Sequence, residues 1–234
     1  MIDTLQQNIK VYCHKSGRIK EGLRVFMKVI DLSHTINNNM STYTKDEKLE
    51  VYNIASIDKD GYNENVLKIC THLGTHIDAP NHMINKGKTI DEYRVESFIG
   101  IAIIIDASML NKIGIDILKK YEDKIKKCDF IIIKTGWDKY WGSKEYLKGF
   151  PTLTEEAAKW LCDFNIRGIG IDTISIDSFD SIDFEIHNII LSRGRLIIEN
   201  LTNLDKVGDE FTLVAMPLKI ENGDASPVRA IGII

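Results

Sequence analysis

Three of the six histidines of the chain, His72, His76 and His82, lie in one short segment that also carries Asp78. Imidazole together with carboxylate is the usual ligand set for zinc, and it also serves manganese. A lone histidine most often satisfies hydrogen bonds in a loop, but the clustering favours a metal ion held by His72, His76 and Asp78. For His82 the roles of ligand, structural residue and acid-base group compete, and acid-base work is favoured. A metal here would activate water and polarise a carbonyl group.

The backbone of this segment is predicted to be extended, with one bend. Gly74 and Pro80 both disfavour a helix. In an extended chain the three histidines and Asp78 point to one side, because successive side chains alternate. Without a bend, however, His72 and His76 would lie roughly 13 Å apart, at about 3.3 Å per residue, which is too far for two ligands of one ion. Gly74 is best able to supply the bend, because it has no Cβ.

The elements around this segment predict an α/β domain. Strands are predicted at residues 28–33, 101–105, 130–134, 168–176 and 196–199, from their β-branched runs. Helices are predicted at residues 115–127 and from the N-cap Thr154 towards Phe164. Two strand-like runs, 211–220 and 228–234, flank the turn-forming residues 222–224 with no helix between them, so the sheet is expected to be mixed. The simplest organisation is one compact domain over residues 27–234, with residues 1–26 as an N-terminal appendage and Met27 as a candidate start.

Composition excludes several classes of partner. The formal net charge is −4, and acidic and basic residues are mixed along the chain. No basic stripe suits nucleic acid or anionic lipid, so neither is expected as a partner. No apolar run is long enough to cross a bilayer, and no signal peptide is apparent. The four scattered cysteines, Cys13, Cys70, Cys128 and Cys162, are expected to be reduced, which favours a cytoplasmic protein.

The segment also carries a family motif, H-x-G-T-H-x-D-x-P-x-H, which is matched at every specified position from His72 to His82. The chain resembles the cyclase-like metal-dependent hydrolases that include bacterial kynurenine formamidase and isatin hydrolase. The resemblance extends from about Met27 to Ile234, through the stretches at 30–34, 134–137, 170–177, 197–201 and 216–220.

This resemblance implies a fuller metal site than the residues alone indicate. It implies that Asp78 bridges the first metal to a second one held by His187 and Glu199, with His82 as the acid-base residue. By themselves, a single histidine and a single glutamate so far downstream would usually be solvated surface residues. One or two divalent ions per subunit are expected, with zinc favoured and manganese as the alternative.

The resemblance also implies a swivelling β/β/α fold, assembled as homodimers or homotetramers with pockets close to subunit contacts. The sequence departs from the family in one place. Family members often carry a segment of the type P-x-W/Y-P-G near the pocket entrance, and only Tyr43 of that pattern is present here. Tyr43 is a candidate for stacking on a substrate, and an exposed loop tyrosine is the equally acceptable alternative.

The favoured function is hydrolysis of a small amide, with N-formylkynurenine converted to kynurenine and formate. The chain has no G-x-S-x-G motif, which argues against a serine-based formamidase. Two alternatives remain. One is a metal-dependent hydrolase or cyclase/dehydratase acting on another small cyclic amide, lactone or carbonyl compound. The other, which is less favoured because His82 lies beside the ligands, is a metal-binding protein without catalysis.

Overall fold

A nine-stranded mixed sheet forms the centre of the computed structural model, which describes residues 7–10, 24–44 and 46–234. The strands are β1 (Gln7–Lys10), β2 (Arg24–Met27), β3 (Val29–Asp31), β4 (Glu50–Ala55), β5 (Glu64–Lys68), β6 (His76–Asp78), β7 (Ile99–Asp106), β8 (Lys112–Ile113), β9 (Phe130–Lys134), β10 (Thr152–Leu153), β11 (Gly168–Ile171), β12 (Leu196–Glu199), β13 (Glu210–Val214), β14 (Ala225–Pro227) and β15 (Ile231–Ile233). The helices are α1 (Ile57–Asp60), α2 (Ile115–Lys119), α3 (Glu122–Ile125), α4 (Glu155–Cys162) and α5 (Glu185–Ser192). No helix among the described residues is long and apolar enough to span a bilayer.

The strand order of the large sheet is β14-β6-β12-β11-β9-β7-β13-β15-β3. The four central strands, β12, β11, β9 and β7, run parallel, and the strands on either side of them pair antiparallel. This arrangement confirms the predicted α/β class and mixed sheet. The two edges differ in function, because the candidate ligands His76 and Asp78 lie on β6, near the β14 edge.

Alternating side chains of the central strands build a core on each face of the sheet. On β9, Ile131 and Ile133 pack into one cluster together with helices α4 and α5. Phe130 and Ile132 point to the opposite face, into a second cluster that includes Ile198. All five side chains are fully buried. Because both faces of the sheet are covered, the central strands are rigid supports for the residues at their ends.

Most of the predicted elements are found, with three corrections. The strand-like run 211–220 is regular strand only as far as Val214 in β13, because Pro217 has no amide hydrogen to donate and pairs with Val228 only in an isolated bridge. Strand β11 ends at Ile171, five residues before the predicted end, because the chain then turns, with the Thr173 hydroxyl donating to the Ser175 carbonyl at 2.6 Å. The helix predicted over 115–127 is divided into α2 and α3, because the Tyr121 backbone leaves the helical region at φ −107° and ψ 4°. The N-cap prediction is confirmed, since the Thr154 side chain accepts from the Ala157 amide at 3.2 Å.

The prediction that residues 1–26 form an appendage falls largely outside the described residues. Of that stretch the structure describes 7–10 and 24–26, which belong to the antiparallel pair β1 and β2.

Strands β4 and β5 form an antiparallel hairpin that the sequence analysis did not predict, with a bulge between Asn53 and Ala55. Nearly all of its residues are exposed, including large apolar ones on both strands. These side chains, 46–59% exposed, are Val51, Tyr52, Ile54, Val66 and Leu67. The hairpin follows directly after the segment that carries Tyr43.

Candidate metal centre

Pairing between β6 and β12 brings three of the predicted ligands to one place. His76 and Asp78 are two residues apart on β6 and therefore point to the same face of the sheet. Glu199 on β12 is the direct cross-strand partner of His76. Side chains of such partners stand about 4.5–5.5 Å apart at Cβ. All three residues are buried, with exposures of 2%, 0% and 4%.

The predicted bend lies at Gly74, whose backbone adopts a left-handed φ of +67°. The Gly74 carbonyl accepts from the side-chain amide of Asn200 at 2.9 Å and lies 2.9 Å from Nδ1 of His76. The turn brings His72 back over the strand, so that its Nδ1 lies 2.8 Å from Asp78 Oδ1. An extended chain would have held His72 and His76 too far apart to share one ion, and the bend at Gly74 brings them together.

His187 enters the cluster from the first turn of helix α5. Asp177 accepts the backbone amides of Ile186 and His187, both at 2.9 Å, and so satisfies two free donors at the helix N-terminus. The same carboxylate lies 2.7 Å from His187 Nδ1. This contact turns His187 Nε2 towards Glu199 Oε1 at 3.3 Å and Asp78 Oδ2 at 3.8 Å.

Two sets of ligand atoms, buried except for those of the partly exposed His72, converge here and share Asp78. One set is His72, His76 and Asp78, and the other is Asp78, His187 and Glu199. Two ligand atoms that each lie about 2.1 Å from one tetrahedral ion are themselves about 3.4 Å apart. The distances of 3.3 Å from His76 Nε2 to Asp78 Oδ1 and of 3.3 Å from His187 Nε2 to Glu199 Oε1 match that spacing.

Unpartnered buried atoms provide a test of whether a metal fits. Neither carboxylate oxygen of Asp78 has a partner in hydrogen-bond geometry among the described residues, and the same holds for Nε2 of His76. Leaving a buried polar group unpaired costs about 1–3 kcal/mol, and more for a charged one. The donor set of imidazoles and carboxylates is one that zinc and manganese accept. The residues present therefore fit a divalent cation.

The outer nitrogen of each candidate histidine ligand is oriented by an oxygen atom. These oxygens belong to Asp224 for His72, to the Gly74 carbonyl for His76 and to Asp177 for His187. Such contacts are typical of metal-bound histidines, because they fix the ring and its tautomer.

Electrostatics at the cluster favour positive charge. Burial acts to lower the pKa of His72, but the Asp78 carboxylate and the contact with Asp224 outweigh burial and raise this pKa to about 9. For His187 the carboxylates Asp177 and Glu199 likewise outweigh burial and raise the pKa to about 10. The carboxylates thus stabilise added cationic charge, whether it is carried by protons or by a metal ion.

His82 lies on the 3₁₀ turn Pro80–His82, which directly follows β6. Its ring centroid is 3.9 Å from that of His72, and its Nδ1 is 3.9 Å from Asp224 Oδ2. Burial lowers the pKa of His82 to about 4, which the Asp78 carboxylate only partly offsets. His82 is thus adjacent to the ligand sets, and with His72 and Asp224 it also forms a third, less buried group that could hold a cation.

A cavity of about 160 Å³ opens above the cluster, and an engineered cavity of similar size holds benzene. Its inner wall is polar and is formed by His72, His76, His82, His187 and Glu199. Its remaining wall is largely apolar and includes Tyr43, Met83, Ile174 and Phe184. Glu47 and Ser175 complete the lining. The cavity therefore joins a polar reaction end to a wall suited to an aromatic or aliphatic group.

Tyr43 is packed against the cavity rather than free in solvent. Its hydroxyl donates to the Phe179 carbonyl at 3.2 Å, and its ring lies 5.0 Å from the Phe179 ring. Burial, followed by the nearby Glu199 carboxylate, raises the pKa of Tyr43 above its ordinary value. The placement is compatible with substrate contact and differs from that of an exposed loop tyrosine.

All six predicted metal and acid-base residues are brought together, but three neighbouring carboxylates were missed. Asp224 was recognised only as a turn-forming residue, and Glu47 was not singled out. Asp177 was noted only as part of a stretch that resembles the family. Asp224 depends on a contact between distant parts of the chain, 152 residues from His72, whereas Asp177 and Glu47 contact residues at most ten positions away. The sequence offered no local signal for such contacts.

Comparison with known proteins identifies the class to which this fold and site belong. The family model described as "Putative cyclase" matches residues 30–178. The chain is 33% identical over 205 residues to kynurenine formamidase of Bacillus cereus, covering 86% of this chain and 95% of the relative.

Solved structures agree with this classification. Isatin hydrolase A from Ralstonia solanacearum superposes with a TM-score of 0.80 at 25% identity, covering 89% of this chain and 92% of that one. A potential metal-dependent hydrolase with cyclase activity superposes with a TM-score of 0.75 at 28% identity, covering 88% and 98%. The fold is that of the cyclase-like hydrolases, and the chain belongs to the cyclase family.

Proposed function

We propose that this protein is a metal-dependent amidohydrolase that hydrolyses an aryl formamide, with N-formylkynurenine as the first candidate substrate. The observation that carries the proposal is the convergence of two sets of candidate ligands on the buried Asp78, at the floor of a cavity with an apolar wall. The similarity to kynurenine formamidase supports the choice of substrate.

His72, His76 and Asp78 would hold one divalent ion, and Asp78, His187 and Glu199 would hold a second. Zinc is proposed first and manganese second, because both accept these donors. When bound, such an ion supplies a water of lowered pKa and a Lewis acid for the carbonyl oxygen.

The other residues supply proton handling and positioning. The His82 ring faces the cavity beside His72, without a side-chain hydrogen bond within the described part of the chain. It is therefore free to carry a proton to the departing amine. The apolar wall formed by Met83, Ile174 and Phe184 would pack against the aryl group and exclude water from it.

The test combines elemental analysis of the purified protein with hydrolysis of N-formylkynurenine by the wild type and by His82→Ala. We expect a divalent metal in both proteins, with kcat about 10²- to 10⁴-fold lower in the variant, the usual contribution of a general acid-base group. Asn81→Ala changes the preceding residue, which is outside the cavity lining, and serves as the matched control.

Each contrary result is informative. Metal without turnover of any formamide would contradict the proposed reaction, and failure to bind metal after reconstitution would contradict the proposed centre. Loss of metal in His82→Ala would instead place His82 among the ligands.

Hydrolysis of a cyclic amide is the second candidate, favoured by the structural similarity to isatin hydrolase and by the apolar wall. Isatin assayed beside N-formylkynurenine separates the two, because the preferred substrate has the higher kcat/KM.

We further propose that the protein forms a homodimer or homotetramer in the cytoplasm through the β4–β5 hairpin. An isolated two-stranded hairpin is marginally stable in water, and large exposed apolar patches mark interaction sites. A second copy packed there would lie next to the segment that lines the cavity. The four scattered cysteines, which are expected to be reduced, support the cytoplasmic location.

Light scattering after size-exclusion chromatography tests the assembly. Leu67 is 59% exposed on the hairpin, and we expect Leu67→Lys to convert the oligomer to monomers. Val95, which is 62% exposed outside the hairpin, provides the control variant Val95→Lys. A monomeric wild type would contradict the proposal.

A further inference from the structure

Glu47 lines the cavity but belongs to none of the groups of candidate metal ligands. It is partly exposed, whereas Glu199, the other carboxylate of the lining, is only 4% exposed at the floor of the cavity. The two acids therefore differ in their surroundings. Glu199 belongs to the candidate metal centre, whereas the Glu47 carboxylate is hydrogen-bonded to Tyr43 and Thr44 and is left available to a part of the substrate other than the reacting amide.

The Glu47 carboxylate is held in a defined position. Its Oε2 accepts the backbone amide of Tyr43 at 3.0 Å, and its Oε1 accepts the Thr44 hydroxyl at 3.2 Å. An ionised carboxylate has about four acceptor sites, so each oxygen can accept a further donor. Because Tyr43 is itself fixed by Phe179, the carboxylate and the Tyr43 ring form one preorganised surface.

The charges around this surface suit a cation. Among the described residues that line the cavity, none is a lysine or an arginine. Away from the histidines of the candidate metal centre, a substrate carboxylate would therefore find no positively charged side chain among these lining residues, whereas an ammonium group would find Glu47. The face of an aromatic ring such as Tyr43 also attracts a cation within about 6 Å.

We infer that Glu47 and Tyr43 form an ammonium-binding subsite at the outer end of the cavity, so that the preferred substrate is an aryl formamide with a cationic amino group on its side chain. The inference rests on the proposed function, since it concerns the part of the amide that does not react. It goes further than the proposed function in specifying that the substrate side chain is positively charged and that Glu47 recognises this charge.

The test uses aryl formamides that share one reacting group and differ in the side chain. One carries only an ammonium group, one carries only a carboxylate, and the neutral member is N-formyl-2-aminoacetophenone. For the metal-loaded wild type we expect the highest kcat/KM with the ammonium substrate. Glu47→Gln keeps the size and an acceptor for the Tyr43 amide but removes the charge. It should lower kcat/KM for the ammonium substrate about tenfold, mainly through KM, because the charge-assisted hydrogen bond to the ammonium group is lost.

The other two substrates and a control variant make the result specific. For the neutral formamide, the kcat/KM of Glu47→Gln should stay within about twofold of the wild-type value, which is a small change in free energy. Asp46→Asn removes a negative charge from the adjacent exposed residue, and it should leave kcat/KM unchanged for all three substrates. An equal loss with all substrates would assign Glu47 a structural role, and no loss with any would show that it does not contact the substrate. Either result would overturn the inference.

A binding measurement separates this inference from the proposed function. The amine products are titrated into metal-loaded wild type and Glu47→Gln by calorimetry, which needs no turnover. If no formamide is hydrolysed, the proposed function fails whatever the calorimetry shows. If formamides are hydrolysed but the ammonium product binds both proteins equally, only the subsite is wrong.

Discussion

The candidate metal centre and the two residues Tyr43 and Glu47 line the same cavity but are supported in different ways. All the metal-ligand candidates except the partly exposed His72 are buried on strands or in a helix turn, and the outer nitrogens of the histidines are each oriented by an oxygen atom. Tyr43 and Glu47 lie outside regular structure, with contacts to Phe179 and to their own segment. Under the proposed function, the regular elements would hold the metal, and the loop residues Tyr43 and Glu47 would select the substrate.

The relatives that share this fold have different substrates. The relative of known structure acts on isatin and the curated relative on a kynurenine formamide, as their names state. The sequence departs from the common pattern of the family at the Tyr43 segment, whereas the motif from His72 to His82 is complete. Substitutions in the two regions should therefore change different measured quantities.

The largest effect is expected for Asp78→Asn. Asp78 belongs to both ligand sets, and its amide replacement cannot bridge two cations. Metal content and turnover should both fall to background. Saturating metal should raise the Tm of the wild type by about 5–15 °C but leave that of the variant unchanged. Elemental analysis measures the metal content and thermal unfolding measures the Tm. Asp106→Asn, at the end of β7, is the control. Full metal occupancy in Asp78→Asn would contradict the assignment.

A smaller effect is expected for Asp224→Asn. Asp224 Oδ2 lies 3.0 Å from His72 Nε2 and would orient the ring of a ligand without binding the metal. Removing such a contact typically lowers metal affinity or activity about 10- to 100-fold. Competition with a chelator measures the affinity, and Glu221→Gln, an exposed neighbour in the same turn, is the control. Unchanged affinity and turnover would show that the contact is incidental.

The smallest effect is expected in the loop. Tyr43→Ala should raise KM for an aryl formamide about three- to tenfold, because an aromatic contact contributes about 0.5–1.5 kcal/mol. Metal content should not change. Tyr43→Phe keeps the ring and loses only the hydrogen bond to Phe179, so its KM should stay close to that of the wild type. Steady-state kinetics with metal analysis tests the pair, and loss of metal in Tyr43→Ala would contradict the separation of the two regions.

The sequence by itself determined the α/β class, most of the central strands and the candidate ligands close together in the chain. These follow from local signals: β-branched runs for β7, β9 and β12, ligand spacing for His72, His76 and Asp78, and the freedom of Gly74 to bend. Including His187 and Glu199 required the family resemblance, because a single histidine and a single glutamate carry little information.

Only the tertiary structure decided the rest. The pairing of β6 with β12 brings Glu199 opposite His76, and the turn before β14 brings Asp224 to His72. The exposed β4–β5 hairpin and the position of Glu47 likewise had no local pattern to predict them. The physical reason is that a short-range pattern reports backbone preference and burial. A charged contact between residues more than a hundred positions apart depends instead on the strand order and register of the whole sheet.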